Sequence, residues 1–294
     1  MDKARVAILG TGNIGSDLLV KVRRSPALEC ALFCGRNADS EGMRRAAAMG
    51  VRVSHESVDA LERAASSFDI IFDATSAEMH KQNAARLLAM DKVVIDLTPS
   101  KSQLMCIPAL NLPYCVAQPS REVNLISCGG QANIPLVSVL QRCDLEVRYL
   151  EFVSALSSKS AGPATRLNID EYIRKTGEAV RFFTGISHAK VILTLNPAEP
   201  PVNMHNTIYV QVEGKHDLGQ LEREISRMEA SIRAYVPGYS IMLGPIYSDG
   251  VITLINEVVG RGDFLPRYAG NLDIMTCAAV ATAEGYKELV LGRR

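Results

Sequence analysis

The N-terminal stretch of the sequence constrains the fold most strongly. An apolar run over 5–9 predicts a short strand, and Gly10, Gly12 and Gly15 follow it with the spacing G-x-G-x-x-G before a helical pattern begins. In this order of strand, turn and helix, the first glycine permits a tight turn. The second lets a pyrophosphate approach the backbone, and the third lets helix and strand pack closely. The pattern predicts a dinucleotide-binding (Rossmann) domain, with a purely structural glycine-rich turn as the alternative.

Further buried strands follow the first helix. Apolar segments at 29–34, 69–76 and 92–100 predict strands, and helical patterns at 40–49 and 80–90 alternate with them. Such alternation predicts an α/β fold with a parallel, doubly wound sheet. The last two strands end in small hydroxyl residues, which could line a bound dinucleotide or merely cap the helices that follow.

Arg36 bears on the choice of dinucleotide. It follows the second strand, where an NAD site usually carries an acidic residue that holds the ribose hydroxyls. An arginine at this position could instead meet the 2′-phosphate of NADP. An exposed loop charge without a ligand is an equally open reading.

Cys128 is the candidate nucleophile. An apolar run at 124–127 predicts a strand that ends at Cys128, and Gly129 and Gly130 precede a buried helical pattern at 131–142. We therefore expect the cysteine in a tight turn at a helix N-terminus. Free N–H groups and the helix dipole would favour a thiolate there, and the same N–H groups could hold an oxyanion. The alternative is a small buried cysteine without chemistry.

The second half of the chain predicts a mixed sheet with long helices on one face. Between its first strand and first helix lies a loop of small residues, 157–166, which carries the cations Lys159 and Arg166. Such a loop suits contact with cofactor or substrate phosphates, although a plain linker is possible. The apolar, alanine-rich helix that opens near Ala269 is expected to pack on the nucleotide domain.

Composition narrows the class of protein. The 294 residues suit two domains. The formal net charge is zero, from 32 basic and 32 acidic residues, so no global field attracts nucleic acid or an anionic membrane. No apolar run has the length of a membrane span, and no signal peptide is expected. Seven scattered cysteines without paired metal spacing predict a reducing, cytoplasmic location and no metal site.

A series of sequence blocks carries a family resemblance. The chain resembles the acylating acetaldehyde dehydrogenases, the CoA-dependent partners of 4-hydroxy-2-oxovalerate aldolases in aromatic hydrocarbon catabolism. The resemblance covers almost the whole length, and the blocks that carry it are 12–15, 72–76, 96–99, 128–131, 157–163, 168–171, 196–201, 235–239 and 269–276.

The resemblance implies a domain plan and a catalytic residue. It implies a Rossmann NAD(P)-binding domain from 1–128 plus 269–294. It also implies an α+β catalytic and dimerisation domain over 129–268, of the glyceraldehyde-phosphate and semialdehyde dehydrogenase type. Cys128 matches the family's acyl-thioester cysteine. A homodimer and an aldolase partner are implied as well.

Cofactor positions are also carried over from the family. The implied cofactor is NAD, with NADP possible because of Arg36, and coenzyme A is the implied co-substrate. Asn271 matches a late asparagine that closes the cofactor site. The other implied NAD contacts are Thr11, Gly12, Asn13, Ile14, Ser160, Ala161, Gly162, Pro163, Ala164, Thr165, Arg166, Leu167 and Asn168.

The implied reaction is reversible oxidation of acetaldehyde, or another short aldehyde, to an acyl-CoA through a thioester on Cys128. Three departures from the family matter. Arg36 replaces its usual aspartate after the second strand, and the segment between Ser240 and Gly262 is shorter than the family's. Asn206 stands where the family usually has an aspartate beside the active site. An amide cannot act as a base, so that step must fall to His205, water or the helix dipole.

Three other readings stay open. One is an acyl-CoA reductase of a biosynthetic pathway with a larger acyl group. Another is a non-catalytic NAD(P)-binding regulator. The third is a phosphorylating dehydrogenase, which would need a histidine base paired with the cysteine.

Overall fold

The computed structural model describes residues 3–100, 104–162, 165–166, 168–214 and 217–289. The chain separates into two compact units, which are treated one at a time below. The first combines Met1–Leu125 with Met275–Arg294, and the second is Ile126–Ile274. None of the described helices combines the length and the apolar character needed to cross a membrane.

The first unit is built on a six-stranded parallel sheet with the order β3-β2-β1-β4-β5-β6. The strand order reverses between β1 and β4, which is where doubly wound sheets bind ligands. The predicted α/β class with a Rossmann domain is confirmed. The strands are β1 (Ala4–Leu9), β2 (Leu28–Cys34), β3 (Val53–Ser54), β4 (Ile70–Asp73), β5 (Val93–Asp96) and β6 (Glu122–Asn124).

Helices alternate with these strands. The C-terminal helix packs on the same unit, since the Thr276 hydroxyl donates to Asp17 Oδ2 at 2.6 Å and the Tyr286 hydroxyl donates to the Cys115 carbonyl at 3.2 Å. The helices of the chain are α1 (Asn13–Arg24), α2 (Glu41–Ala48), α3 (Ser57–Arg63), α4 (Ala77–Ala89), α5 (Pro108–Ala117), α6 (Cys128–Arg142), α7 (Ile169–Thr184), α8 (Leu218–Arg233) and α9 (Gly270–Leu289).

Burial of the parallel sheet holds the carboxyl ends of its strands in place. Leu9, Leu32 and Ile71 come from three neighbouring strands and pack with Leu61 and Phe68 in one core cluster. Full burial of each such side chain contributes about 1.5–3 kcal/mol. The loops that follow β1, β2 and β4 therefore start from a rigid edge of the sheet.

The second unit is built on a five-stranded mixed sheet with the order β10-β11-β9-β7-β8. Only β7 and β8 pair in parallel; the other pairs are antiparallel. The mixed sheet with long helices is confirmed. The strands are β7 (Glu146–Ser157), β8 (Ala189–Asn196), β9 (Met204–Glu213), β10 (Tyr239–Ser248) and β11 (Val251–Val258).

Helices α6, α7 and α8 cover one face of this sheet. Along β9, Met204, Asn206 and Ile208 are buried, while His205 and Tyr209 point to the opposite face, as the two-residue period of a strand requires. Helix α6 is buried on all sides through its first thirteen residues, 128–140. The N-terminus of α6 thus lies inside the unit, against side chains from its neighbours.

Candidate functional site

A groove of about 540 Å³ opens at the carboxyl edge of the parallel sheet in the first unit. The loops after β1, β2 and β4 line it, so the structure brings the glycine turn, Arg36 and the hydroxyl residues after β4 together. The lining residues are Leu9, Gly10, Thr11, Gly12, Gly35, Arg36, Asn37, Ser57, Ala74, Thr75, Ser76 and Met79.

The three glycines of the turn differ in what a side chain at each position would meet. Gly10 has φ +117, and a Cβ on it would lie 2.5 Å from the Ala74 carbonyl oxygen. A Cβ on Gly15 would lie 1.8 Å from the Gly10 oxygen, whereas one on Gly12 would meet nothing within 4 Å. Gly12 therefore leaves the backbone open to the groove. The first turn of α1 carries no acidic residue, so its N-terminus suits a pyrophosphate.

The other predicted residues of this region are placed as follows. The Thr11 hydroxyl accepts a hydrogen bond from Ser40 at 3.0 Å. Asn13 and Ile14 open α1 and do not line the groove. Arg36 is exposed at the groove, with Nη1 3.5 Å from the Met79 sulfur. Its guanidinium therefore remains available to an anionic group.

The structure changes the predicted surroundings of Cys128. Strand β6 already ends at Asn124, and Cys128 is the first residue of α6, so the two glycines lie in the first helical turn. The predicted tight turn after the cysteine is wrong. The sharp bend lies earlier, at Ile126, whose φ of +66 is rare for a β-branched residue. Such a strained position before a candidate nucleophile is a feature of functional sites.

The N–H groups expected to hold an oxyanion are already paired. Ser127 caps α6 by accepting from the Gly130 N–H at 3.0 Å, and its hydroxyl lies 2.7 Å from that of Thr176 on α7. The Gly129 N–H donates to the Tyr172 hydroxyl at 3.1 Å. The Gly129 and Gly130 N–H groups, which were expected to be able to hold an oxyanion, each donate to a side-chain hydroxyl instead.

The Cys128 side chain is 9% exposed. Burial raises the pKa of its thiol to about 11, although its hydrogen bonds with the Tyr172 hydroxyl and the Gly129 amide lower that pKa. The thiol donates to the Tyr172 oxygen across 3.8 Å. Burial therefore opposes the thiolate that the helix N-terminus was expected to favour.

A buried network of neutral side chains continues from Tyr172. Its hydroxyl is hydrogen-bonded to Ser154 on β7, and the Ser154 hydroxyl donates to Asn206 Oδ1 at 2.7 Å. Asn206, Asn256 and Asn133 then close a ring in which each amide N–H₂ donates to the next carbonyl, at 2.8, 2.9 and 3.2 Å. Asn206 is thus a fully paired structural amide and offers no base.

His205 cannot replace the missing aspartate within this chain. It lies on the opposite face of β9 from Asn206, where Nε2 is 3.1 Å from Glu257 Oε1 and Nδ1 is 3.1 Å from the Asn203 carbonyl. Since neighbouring residues of a strand point to opposite faces, this follows from the register alone. The expectation that His205 could serve Cys128 is wrong.

Sequence reasoning missed Tyr172 and Ser154. Ser154 could have been found, because it is a polar residue at an inward position of the alternating strand β7. Tyr172 lies in the first turn of α7, and only the packing of α7 on α6 brings it to the sulfur.

The second predicted cofactor segment is partly described. The Ser160 hydroxyl donates to the Ser157 carbonyl at 2.9 Å, and Arg166 donates to the carbonyls of Ser158 and Ala161, so its guanidinium ties the loop together. The Asn168 side chain makes no capping hydrogen bond to α7. Ala161 is buried, Gly162 is exposed and Thr165 is half-buried, whereas Pro163, Ala164 and Leu167 lie outside the described residues.

Asn271 lies at the start of α9 in the second unit. Its side chain is buried, and among the described residues Oδ1 has no hydrogen-bond partner. Its predicted role beside the cofactor remains a prediction.

A second polar cluster is buried in the first unit. His80 Nδ1 lies 2.9 Å from Asp73 Oδ2 and 3.7 Å from Asp96 Oδ1, and Nε2 lies 3.6 Å from Glu122. Burial lowers the pKa of His80, but the bonds to Asp73 and Glu122 and the charge of Asp96 outweigh it and raise it to about 10. Asp73, His80 and Asp96 could each offer a cation one ligand atom, all within 4.8 Å. The histidine already fills the space between the carboxylates as an ion-pair partner.

Family models match both halves of the chain. The model for the dimerisation domain of prokaryotic acetaldehyde dehydrogenase matches residues 128–266, and the semialdehyde dehydrogenase NAD-binding domain matches residues 5–121.

Relatives match over the whole length. An acetaldehyde dehydrogenase of Pectobacterium atrosepticum is 43% identical over 99% of this chain and 98% of its own. One of Spirochaeta aurantia is 46% identical over 96% of this chain and 94% of its own. The structure of aspartate semialdehyde dehydrogenase II of Vibrio cholerae is similar with a TM-score of 0.65 at 16% identity, covering 99% of both chains, which shows a shared fold.

Proposed function

The chain belongs to the prokaryotic acetaldehyde dehydrogenase family, and on that premise we propose that it oxidises acetaldehyde or another short aldehyde to the acyl-CoA. The oxidant is NAD, and the acyl group passes to coenzyme A through a thioester on Cys128. The observation that carries the proposal is the position of Cys128 as the first residue of α6, where its sulfur contacts the hydroxyl of Tyr172.

The groove of the first unit fits the cofactor. Gly12 leaves room for a pyrophosphate, and the N-terminus of α1 supplies unpaired N–H groups without a competing carboxylate. Thr75, Ser76 and Arg36 also line the groove. When bound, NAD supplies the hydride acceptor.

The protein's own part in the reaction is the chemistry at sulfur. Once Cys128 has lost its proton, its electron pair bonds to the aldehyde carbon while the carbonyl pair moves to oxygen. Loss of hydride from that carbon leaves an acyl-cysteine thioester. The thiol of coenzyme A then bonds to the acyl carbon, the carbon–sulfur bond to Cys128 breaks, and the cysteine sulfur takes back a proton. Thioester exchange between two thiols is nearly balanced, so the same groups serve both directions.

The other readings have less support. A phosphorylating dehydrogenase needs a histidine base at the cysteine, and no described histidine contacts Cys128. A non-catalytic regulator has no need of a phenol held against a buried sulfur. An acyl-CoA reductase with a larger acyl group would use the same machinery and differs only in substrate.

A homodimer is part of the proposal. The face of the five-stranded sheet away from the helices places Ile246, Thr253 and Tyr209 side by side in register. Ile246 is 47% and Tyr209 41% exposed, which leaves an apolar strip open to a second copy of the chain. Sedimentation velocity that shows monomers only would contradict this. The aldolase partner implied by the resemblance remains a prediction.

The test compares the cysteines at the two ends of α6. Cys128→Ala should abolish acetaldehyde-dependent formation of NADH and acetyl-CoA while NAD binding persists. Cys143, the C-cap of α6, is the matched control, and Cys143→Ala should keep wild-type turnover. Near-normal rates in Cys128→Ala would overturn the covalent mechanism. Replacing coenzyme A by phosphate as acceptor separates acylating from phosphorylating chemistry.

A further inference from the structure

Tyr172 is the side chain in direct contact with the Cys128 sulfur. It belongs to the first turn of α7 and is 9% exposed. Its hydroxyl oxygen accepts from the Cys128 thiol at 3.8 Å and from the Gly129 N–H at 3.1 Å. A Cβ on Gly129 would lie 2.2 Å from that oxygen, so glycine at this position is what lets the phenol reach the sulfur.

The remaining surroundings of the sulfur are neutral. The other groups that act on it are the backbone amides of Gly129 and Cys128, and no described lysine, arginine, histidine or carboxylate is among them. The strands packed against this position contribute the uncharged Ser154, Asn206 and Asn256. Lys175, three residues after Tyr172 on α7, is also buried.

The proton of the Tyr172 hydroxyl has two possible acceptors. At rest it points to Ser154, since the Ser154 hydroxyl itself donates onward to Asn206 Oδ1 at 2.7 Å. A phenol both donates and accepts, so rotation about its C–O bond can redirect that proton to the sulfur. Burial raises the pKa of Tyr172 well above its ordinary value, so the proton stays on the phenol.

We propose that the Tyr172 hydroxyl turns from acceptor of the Cys128 thiol proton to donor toward the Cys128 thiolate, and so makes the buried sulfur reactive. The inference rests on the proposed role of Cys128 as nucleophile. The thiol proton leaves to water, the sulfur keeps its electron pair, and no bond within Tyr172 breaks. The ring of three amides conducts no proton, because each member is neutral and paired; it holds Ser154 and thereby the resting direction of the phenol.

The strength of this donor can be estimated. A hydrogen bond donated to a charged group favours the charged form by roughly one to two pKa units. Removing the phenol oxygen should therefore raise the pH at which Cys128 becomes reactive by about that amount.

The experiment measures alkylation of Cys128 by iodoacetamide against pH in the full-length protein, with peptide mass spectrometry resolving the seven cysteines. We expect Tyr172→Phe to move the midpoint of the Cys128 profile upward by about one unit or more. Turnover at neutral pH should fall roughly tenfold, with the KM for NAD unchanged. Tyr239→Phe is the matched control, because that buried hydroxyl donates to the Ala132 carbonyl of α6 at 2.8 Å and not to the sulfur.

A second variant covers the case in which Tyr172→Phe folds poorly. Ser154→Ala removes the competing acceptor of the phenol proton and should move the midpoint downward, whereas a general loosening of the site would move both variants the same way. An unchanged midpoint in Tyr172→Phe, or an upward shift in Ser154→Ala, overturns the proposal and leaves the covalent mechanism standing. Full activity in Cys128→Ala would instead remove the mechanism itself.

Discussion

His80 Nδ1 lies 2.9 Å from Asp73 Oδ2, and both side chains are buried within the nucleotide-binding unit. Asp73 and Asp96 end the neighbouring strands β4 and β5 as register partners, and His80 reaches between them from the first turn of α4. The pair therefore ties α4 to the carboxyl ends of two strands of the parallel sheet, next to the loop after β4 that lines the groove.

This pair predicts a loss of stability in alkaline solution. The pKa of His80 is raised from 6.5 to about 10, so the folded state binds a proton that the unfolded state releases. The contribution of protonated His80 to the free energy of unfolding is complete below pH 6.5 and is lost as the pH rises to about 10. His80→Gln should lower the free energy of unfolding by on the order of 3–5 kcal/mol at acidic pH, and less at alkaline pH. Urea denaturation over this range tests it, with the exposed His55→Gln as control. Parallel curves for wild type and His80→Gln would contradict the assignment.

Gly129→Ala should destabilise the protein although alanine is the better helix former. The new methyl group would lie 2.2 Å from the Tyr172 oxygen and 2.8 Å from Ser154 Oγ. Such overpacking costs about 1–3 kcal/mol. Gly177→Ala on α7 is the control: its nearest neighbour would be Arg181 Nη1 at 3.9 Å, so it should gain up to about 1 kcal/mol. The measurement is the midpoint of thermal unfolding of each variant. Equal midpoints for Gly129→Ala and Gly177→Ala would show that the Tyr172 hydroxyl does not lie close to Gly129.

Arg36→Asp should impair NADPH use more than NADH use. The guanidinium lies at the groove and pairs with no described carboxylate, so it can meet a 2′-phosphate. Loss of that contact should lower kcat/KM for NADPH roughly tenfold to a hundredfold. Arg44, an exposed arginine of α2 outside the groove lining, provides the control variant Arg44→Asp. An equal decrease for the two cofactors would mean that Arg36 does not contact the 2′ position.

Asn206→Asp should destabilise the fold in a pH-dependent way. An ionised carboxylate could still accept from Ser154, but it could not donate to Asn256 Oδ1 as the amide does at 2.8 Å. A buried acceptor left without a donor costs about 1–3 kcal/mol. Protonation restores the donor, so the folded-state pKa of the new carboxyl would be raised and the deficit would grow as the pH rises. Denaturation at pH 5 and pH 8 measures this; a deficit independent of pH would exclude a buried ionisable group at this position.

The periodic parts of the fold could be predicted from sequence. A doubly wound sheet was predicted from the run at 5–9 with its glycines and from the apolar strands at 69–76 and 92–100. Strands buried on both faces are recognisable because they are nearly continuous runs of apolar residues. Short or atypical elements could not be predicted. Strand β3 has two residues, and α5 carries Pro113 in its interior and a non-helical residue, Asn111.

The candidate site was only partly predictable. Cys128 could be found because its signal is local: an apolar run, a cysteine and a helix start. The two glycines after it suggested a turn, whereas Gly129 is required because the Tyr172 hydroxyl, 43 residues further along the chain, lies against it. Pairing between α6 and α7 is a property of packing, and no local pattern encodes it.

Hydrogen peroxide and similar oxidants attack cysteine thiolates and leave protonated thiols largely untouched. If Cys128 is the nucleophile we propose, the burial that raises the pKa of its thiol would also shelter it from sulfenic acid formation. On the same proposal, the sulfur would be open to oxidation only while the Tyr172 hydroxyl donates to it.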